Sequence, residues 1–437
     1  MIEPPLARPT AQEETAARLW RDPRGWMREK NLGRGYWVFF ETAFFYDAGF
    51  SIYFFLFNLY LLDRGFNERA MGWIGGAFTL GSLAGFLPAG ALGRRLGLRP
   101  LLIALFISAP ALSAVRAIWV WEPAQIGLAF LAGLAMCGWG VCFLPAVARL
   151  TNRDNRTAGF SLIFSVSVGT SMLGGVVCGY LRQWLARAGV AMQPADVKRL
   201  ILLASCGVAM AGLIPALRLR VPSSSGEDES DPLPQRSNGW FAWKPSAFLK
   251  RFLPAMALWS AVLAAFTPFA NIYLVRDLHI SMTRIGLIFT AVQLLQFSMG
   301  LVAPFLFRAL GLRNGIVATQ IAAALVLGSL AGARNEWLAV TLYMTFSAAQ
   351  WVSSPGLYNL LMNETPDAER SSAAAMTLFS NAAAGSAATA IAGVLFTRFG
   401  YPPVMLGLAA MSLGVSLVFR FLVPRGGKRA SMETVRA

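Results

Sequence analysis

The 437-residue chain offers little that could make or break covalent bonds. Its single histidine is His279, and its four cysteines, Cys137, Cys142, Cys178 and Cys206, all sit inside apolar runs. A histidine-based triad, a zinc set or a disulfide framework therefore has almost nothing to build on. No glycine loop ending in Gly-Lys-Ser/Thr is present, so the phosphate cradle of nucleotide-driven machines is missing too. What the chain does have is a carboxyl group in an apolar setting. Asp47 lies in a long run from about Tyr36 to Leu61, roughly 4 Å from its centre at 1.5 Å per residue. An acid that deep is costly as an anion, is by default functional, and usually faces a cavity. It could take up a proton from one side and release it to the other. Asp47, Ser51, Phe54 and Asn58 fall within about 60° of one another on a helix, which makes a polar stripe with one aromatic in it. The alternative is a protonated acid that only bonds to a neighbouring helix. Glu41 sits nearer the start of the same run and roughly 120° around it, a second candidate for proton work. Arg116 is the one basic residue well inside an apolar run, and it is expected to snorkel outward or to act as a charge partner or gate.

The elements that must position these groups are membrane helices. The chain is 56% hydrophobic and 14% charged, against about 25% charged in soluble domains, and its apolar runs are each long enough to cross a hydrocarbon layer of about 30 Å. Spans are expected near 36–61, 70–91, 100–120, 125–148, 157–181 and 200–217, then 252–275, 285–307, 315–333, 338–362, 371–397 and 404–423. Thr365, Pro366 and Asp367 read as the start signal of the eleventh helix, a cap followed by a first-turn proline and an acid. Alternating short strands, the mark of a barrel, are absent from the pattern. The fold class is an all-α polytopic membrane protein, twelve transmembrane helices in two pseudo-symmetric six-helix bundles.

The two halves echo one another. Leu96-Gly97-Leu98-Arg99 recurs as Leu310-Gly311-Leu312-Arg313, with Arg94 in register with Arg308; Asn58-Leu-Tyr-Leu61 recurs as Asn271-Ile-Tyr-Leu274, and Gly72 falls on Gly286. An internal duplication of one membrane unit explains all three. Asp47 has its counterpart near Ser260, so the acid breaks the symmetry. The expected organisation is a polar segment over 1–35 without the apolar core and cleavage site of a leader, a bundle over 36–220, a Ser/Pro/acid-rich linker over 221–249, a second bundle over 250–423 and a tail over 424–437. The net charge of +16 does not point to nucleic acid. With the N-terminus inside, most Lys and Arg fall in inner segments, which is the positive-inside pattern with both termini cytoplasmic.

Twelve spans as six plus six, a central linker and the Gly/Arg turn after span two resemble the major facilitator superfamily over about Tyr36 to Val423. Of the family's loop signature, Gly-x-x-x-Asp-Arg-x-Gly-Arg-Arg/Lys, Gly90, Arg95, Gly97 and Arg99 match. Arg94 stands where the family has Asp, and Leu98 where it has Arg. The resemblance implies a latch between the halves on the cytoplasmic side. With the signs swapped here, Arg94 and Arg95 would meet Asp367 and Glu369, and Arg308 would meet Asp154; solvated loop charges are the alternative. The family's arginine in span four has no counterpart, and Ser167 to Gly179 carries the glycines of an antiporter motif without its proline. The resemblance further implies a cavity lined by spans one, four, seven and ten. Tyr46, Ser51, Asn58, Trp139, Trp259, Asn271, Tyr273, Gln350, Trp351, Tyr358 and Asn359 are the candidates there.

The expectation is a secondary transporter working by alternating access, not an enzyme. Proton-coupled export of a lipophilic or amphipathic small molecule is the leading version, with Asp47 and Glu41 as proton-coupling residues. Uptake of a neutral metabolite, or a transporter-like membrane sensor or scaffold, remains open. The expected partners are a small-molecule substrate, protons and the lipid bilayer, with no cofactor, no metal and no nucleic acid. The expected setting is a monomer in a bacterial inner membrane.

Overall fold

Long helices connected by short turns make up the computed structural model, which describes residues 32–152, 155–187, 193–219, 246–365 and 369–422. The first half holds α1 (Arg34–Asp63), α2 (Glu68–Leu96), α3 (Leu98–Ile118), α4 (Glu122–Leu150), α5 (Arg156–Arg187) and a sixth crossing made of α6a (Pro194–Ala211) and α6b (Leu213–Arg218). In the second half, α7a (Ala247–Phe266) passes through a tight turn at Thr267–Phe269 into α7b (Ala270–Arg276). It is followed by α8 (Met282–Leu310), α9 (Leu312–Ala331), α10 (Glu336–Glu364), α11 (Arg370–Phe399) and α12 (Tyr401–Leu422). Eleven crossings are long and apolar enough to span a bilayer. The other is α10, 29 residues long but enriched in Thr, Ser, Gln and Asn. The expected lead-in up to residue 31, the linker over 220–245 and the tail from 423 lie outside the described residues, as do Asp154 and Asp367. The face from which α1 starts is called the near face below, and the opposite one the far face.

The repeat seen in the sequence is a repeat of packing. In the first half α1 packs on α5 and α6, α3 on α4 and α6, and α2 on α4; in the second half α7 packs on α11 and α12, α9 on α10 and α12, and α8 on α10. The shared tetrapeptide explains part of this. Gly97 and Gly311 sit at φ 86° and 76°, a region side chains rarely adopt, so each lets one helix end and the next begin across a single residue. The arginine two residues on also does the same task twice. Arg99 donates to the Leu217 carbonyl at 2.5 Å, and Arg313 to the Phe419 carbonyl at 3.3 Å. Each thereby satisfies an otherwise open carbonyl at the end of the sixth or twelfth crossing.

Two expectations change. Thr365 closes α10 instead of capping α11; its hydroxyl is buried with no partner, and α11 begins at Arg370. Arg116 does not snorkel. It is 4% exposed, lies over the Phe57 ring at 4.3 Å and donates to the Gln125 side chain at 3.4 Å. Gln125 in turn donates to the carbonyls of Arg116 and Trp119. The cation is held by a ring face and by the negative end of α3.

Close helix approach within the first half depends on glycine. A Cβ on Gly81 would collide with the Phe130 backbone, and one on Gly133 with the Phe78 backbone, so α2 and α4 touch main chain to main chain. Gly81→Ala is expected to cost about 1–3 kcal/mol by forcing these helices apart. Gly127→Ala, where a Cβ meets nothing within 4 Å, should be near neutral. Thermal unfolding in detergent reads the difference, and equal melting of the two variants would contradict it.

Candidate functional site

Asp47 sits mid-span on α1 and accepts a short hydrogen bond from Ser167 on α5. One helical turn on, Ser51 donates to the Thr170 carbonyl at 3.2 Å, and Thr170 donates to the Ser167 carbonyl at 3.1 Å. Asp47 has no Lys or Arg within ion-pairing distance among the described residues. A mid-membrane carboxyl bonded to hydroxyls and unpaired with any cation can hold a proton, or meet a cationic ligand group. Ser167 and Thr170 were not anticipated. Their signal was the i, i+3 spacing of hydroxyls in a span otherwise read for its glycines.

Across from this cluster, Asp47's counterpart Ser260 donates to the Asn381 carbonyl at 3.2 Å. On α7a, α10 and α11, three buried polar atoms have no protein partner among the described residues: Trp259 Nε1, Gln350 Nε2 and Asn381 Oδ1. α7a and α10 run antiparallel and meet where Phe266 touches Tyr343 and Phe346. Trp259 and Gln350 lie seven residues from Phe266 and Tyr343 respectively, toward the near face, so the two donors share a level. Buried polar groups are normally satisfied; these call for a ligand or water.

The other expected ligands lie in several different places. Tyr46 stacks on Trp139 at 4.3 Å and leans on Phe106, all within the first half. Tyr273 packs on Tyr401 near the far face. Trp351 and Tyr358 are exposed on α10, and Asn359 accepts from Asn363 one turn on. Glu41 is not beside Asp47. It lines a separate cleft at the near face with Arg34, Arg99 and Arg218.

Asn58 and Asn271 turn out to be fasteners between the halves. Asn58 donates to the Pro268 carbonyl at 2.9 Å and Asn271 to the Phe55 carbonyl at 3.5 Å, so the repeated motif makes the same bond in both directions. The glycines do likewise. A Cβ on Gly72 would meet Gly393, and one on Gly286 would meet Gly179; both pairs map onto each other at an offset of 214 (72 to 286, 179 to 393). Ser386 donates to the Gly76 carbonyl and Thr290 to the Met172 carbonyl. These α2–α11 and α5–α8 contacts run from the midplane to the far face. The inter-half bonds of Asn58, Asn271, Thr290 and Ser386 all lie in that region.

One far-face contact has no symmetric twin. Glu68, at the start of α2, is 2% exposed and takes two bonds from Arg276 of α7b, at 2.6 and 2.7 Å. Tyr401 stands 3.5 Å from the same carboxylate, stacked on Phe396. Next to it burial raises the Asp277 carboxyl above its ordinary value, against the pull of Arg276.

Of the near-face latch expected from the sequence, the acids Asp154 and Asp367 lie outside the described residues. Gly90 is buried near the end of α2, while Arg95 is exposed. Arg99 bonds within its own half, and Arg308 lies over its own helix's Phe305. Glu369 has a buried oxygen with no partner among the described residues. The side chain of Arg94 lies outside the described residues.

The sequence profile of the Major Facilitator Superfamily matches residues 39–389 and again 255–434. Among curated proteins none matches by sequence. Solved structures with a similar fold include the nucleoside transporter NupG, with TM-score 0.74, 14% identity, and coverage of 90% of this chain and 100% of that one. The xylose transporter XylE from E. coli in an inward-open conformation gives 0.68 and 15%, covering 91% and 98%. A bacterial homologue of the iron transporter ferroportin in an inward-facing state gives 0.64 and 15%, covering 90% and 99%.

The Glu68–Arg276 lock yields an asymmetric prediction. Arg276→Ala strands a buried carboxylate, whereas Glu68→Ala strands a guanidinium that is already 56% exposed. The first is expected to loosen the far side by about 1–3 kcal/mol and the second by less. Alkylation of Thr389→Cys by a membrane-impermeant reagent added at the far face should rise more in Arg276→Ala; equal rates in both variants would contradict the asymmetry.

Proposed function

This chain belongs to the major facilitator superfamily and is a membrane transporter; from that premise we propose that it is a proton-coupled secondary transporter working by alternating access, with Asp47 as the proton site. The observation that carries the reading is Asp47 itself: a mid-span carboxyl held by Ser167, with no cation beside it, on a helix that also touches the opposite half through Asn58. A change of protonation there acts on the helix that fastens the two halves. The near face is taken as cytoplasmic, since most Lys and Arg lie on that side. The conformation described above is then closed outside and open inside. Structures with the same fold include proton symporters.

The substrate is proposed to sit between Asp47 and the unpaired donors Trp259 Nε1 and Gln350 Nε2. An aromatic wall with few charges suits an amphipathic or lipophilic molecule, and a cationic one would meet Asp47. Outward movement of such a compound is the first reading. Uptake of a neutral, hydrogen-bonding metabolite is the second, favoured by the two neutral donors; near-face boundaries and the monomeric state are proposed as read from the sequence.

Cells expressing the protein should expel a fluorescent lipophilic cation, an uncoupler should stop this, and Asp47→Asn should abolish it. Efflux that persists in Asp47→Asn would remove the acid from the mechanism. No efflux from the wild type, together with a thermal shift by neutral metabolites that Gln350→Ala loses, would establish the second reading.

A further inference from the structure

The near-face cleft of the first half has a composition that transport does not explain. It encloses about 830 Å³ and is lined by Arg34, Trp37, Val38 and Glu41 of α1, by Arg99 of α3, and by Pro215, Leu217 and Arg218 of the sixth crossing. All of these belong to one half. No residue of the second half is among those described as lining it.

Three guanidinium groups from three helices converge on it with a single carboxylate. Among the described residues, Arg34 and Arg218 have no carboxylate partner within 4 Å and Glu41 has no cation. Arg99 already spends one N–H on the Leu217 carbonyl. Both α1 and α3 also start here without a side-chain cap and without an acid in the first turn, so their positive ends add to the field. Among these arginines the lining is apolar, made by Val38, Pro215, Leu217 and the Trp37 ring. Glu41, seven residues into α1, marks a depth of about 10 Å. A site with a basic rim and an apolar wall matches a molecule with a phosphate at one end and a hydrocarbon chain at the other, the chain running along that wall beside Glu41.

The geometry points to a site for an anionic phospholipid, its phosphate held by Arg34, Arg99 and Arg218 and the start of one acyl chain lying on Val38, Pro215 and Leu217. Arginine suits the task because its planar fork can meet two phosphate oxygens at once. The lipid would tie the first turns of α1 and α3 to the end of the sixth crossing, the same three elements that the Arg99–Leu217 bond joins.

The test uses the full-length protein in detergent, with lipid retention read by native mass spectrometry and stability by thermal shift. Wild type is expected to retain phosphatidylglycerol over phosphatidylcholine and to be stabilised by it. Arg34→Ala with Arg218→Ala removes two groups that hold no protein partner, so folding should be spared; retention should fall about tenfold or more, by the attraction two basic side chains supply at a membrane surface. Arg398→Ala, an exposed change on the far side of the other half, should leave retention unchanged. Equal retention by wild type and the double variant, or equal preference for the two lipids, would overturn the proposal. If soluble glycerol phosphate stabilised the wild type as much as phosphatidylglycerol at equal concentration, the assignment to a lipid would be overturned in favour of a soluble phosphate.

Discussion

Two main-chain crossings, Gly72 on Gly393 and Gly286 on Gly179, bring the halves closer than any side chain would permit. Most of the structure follows from that constraint. With little hydrophobic driving force between helices in lipid, association depends on packing and hydrogen bonds, and small residues give both. Here the glycines let Ser386 and Thr290 reach carbonyls on the opposite half. Because the two crossings are related by the internal repeat, they form a symmetric pair of bearings on either side of the molecule. The hydrogen bonds between halves named above gather between the midplane and the far face.

The candidate site hangs from the same frame. α1 carries Asp47 at mid-depth and Asn58 nearer the far face, so one helix links the acid to the fastening of the halves. α7 carries Ser260, with Trp259 next to it in the chain, and Asn271 in the corresponding places. The symmetry is broken twice, by Asp47 opposite Ser260 and by the Glu68–Arg276 pair. In the proposed cycle, a symmetric hinge with one acid and one lock would give the two states different electrostatics, as coupling to a proton requires.

Much of this was legible in the sequence. The glycine and arginine of the repeated Leu-Gly-Leu-Arg turn announced matching halves, and the turns and the two carbonyl contacts are its physical content. Asp47 stood out because an acid among apolar residues is rare. α10 was legible by its length and flanking polar turns, although its polarity hides it from hydropathy alone. Tyr46 and Trp139 could not be placed, since an aromatic on a membrane helix packs on its own bundle as readily as it lines a cavity. Asn58 and Asn271 were seen as a repeat, but which partner an amide finds depends on a helix far away in sequence. The Glu68–Arg276 lock was invisible for the same reason: the two are 208 residues apart, and each looks like an ordinary charge at a helix end. Arg116 was misread because neither the Phe57 ring nor the Gln125 amide announces itself as a partner for a cation.

The central claim is that the halves move as rigid bodies about the glycine crossings. The direct measurement is spin–spin distance across each face, in a protein whose four native cysteines are replaced by serine. Leu96→Cys with Leu310→Cys reports the near face, and Trp119→Cys with Trp337→Cys the far face; all four side chains are exposed. Lowering the pH or adding a transported compound should shorten the near-face distances and lengthen the far-face ones together. Near-face ends that keep a fixed separation, or two faces that widen in step, would contradict the account.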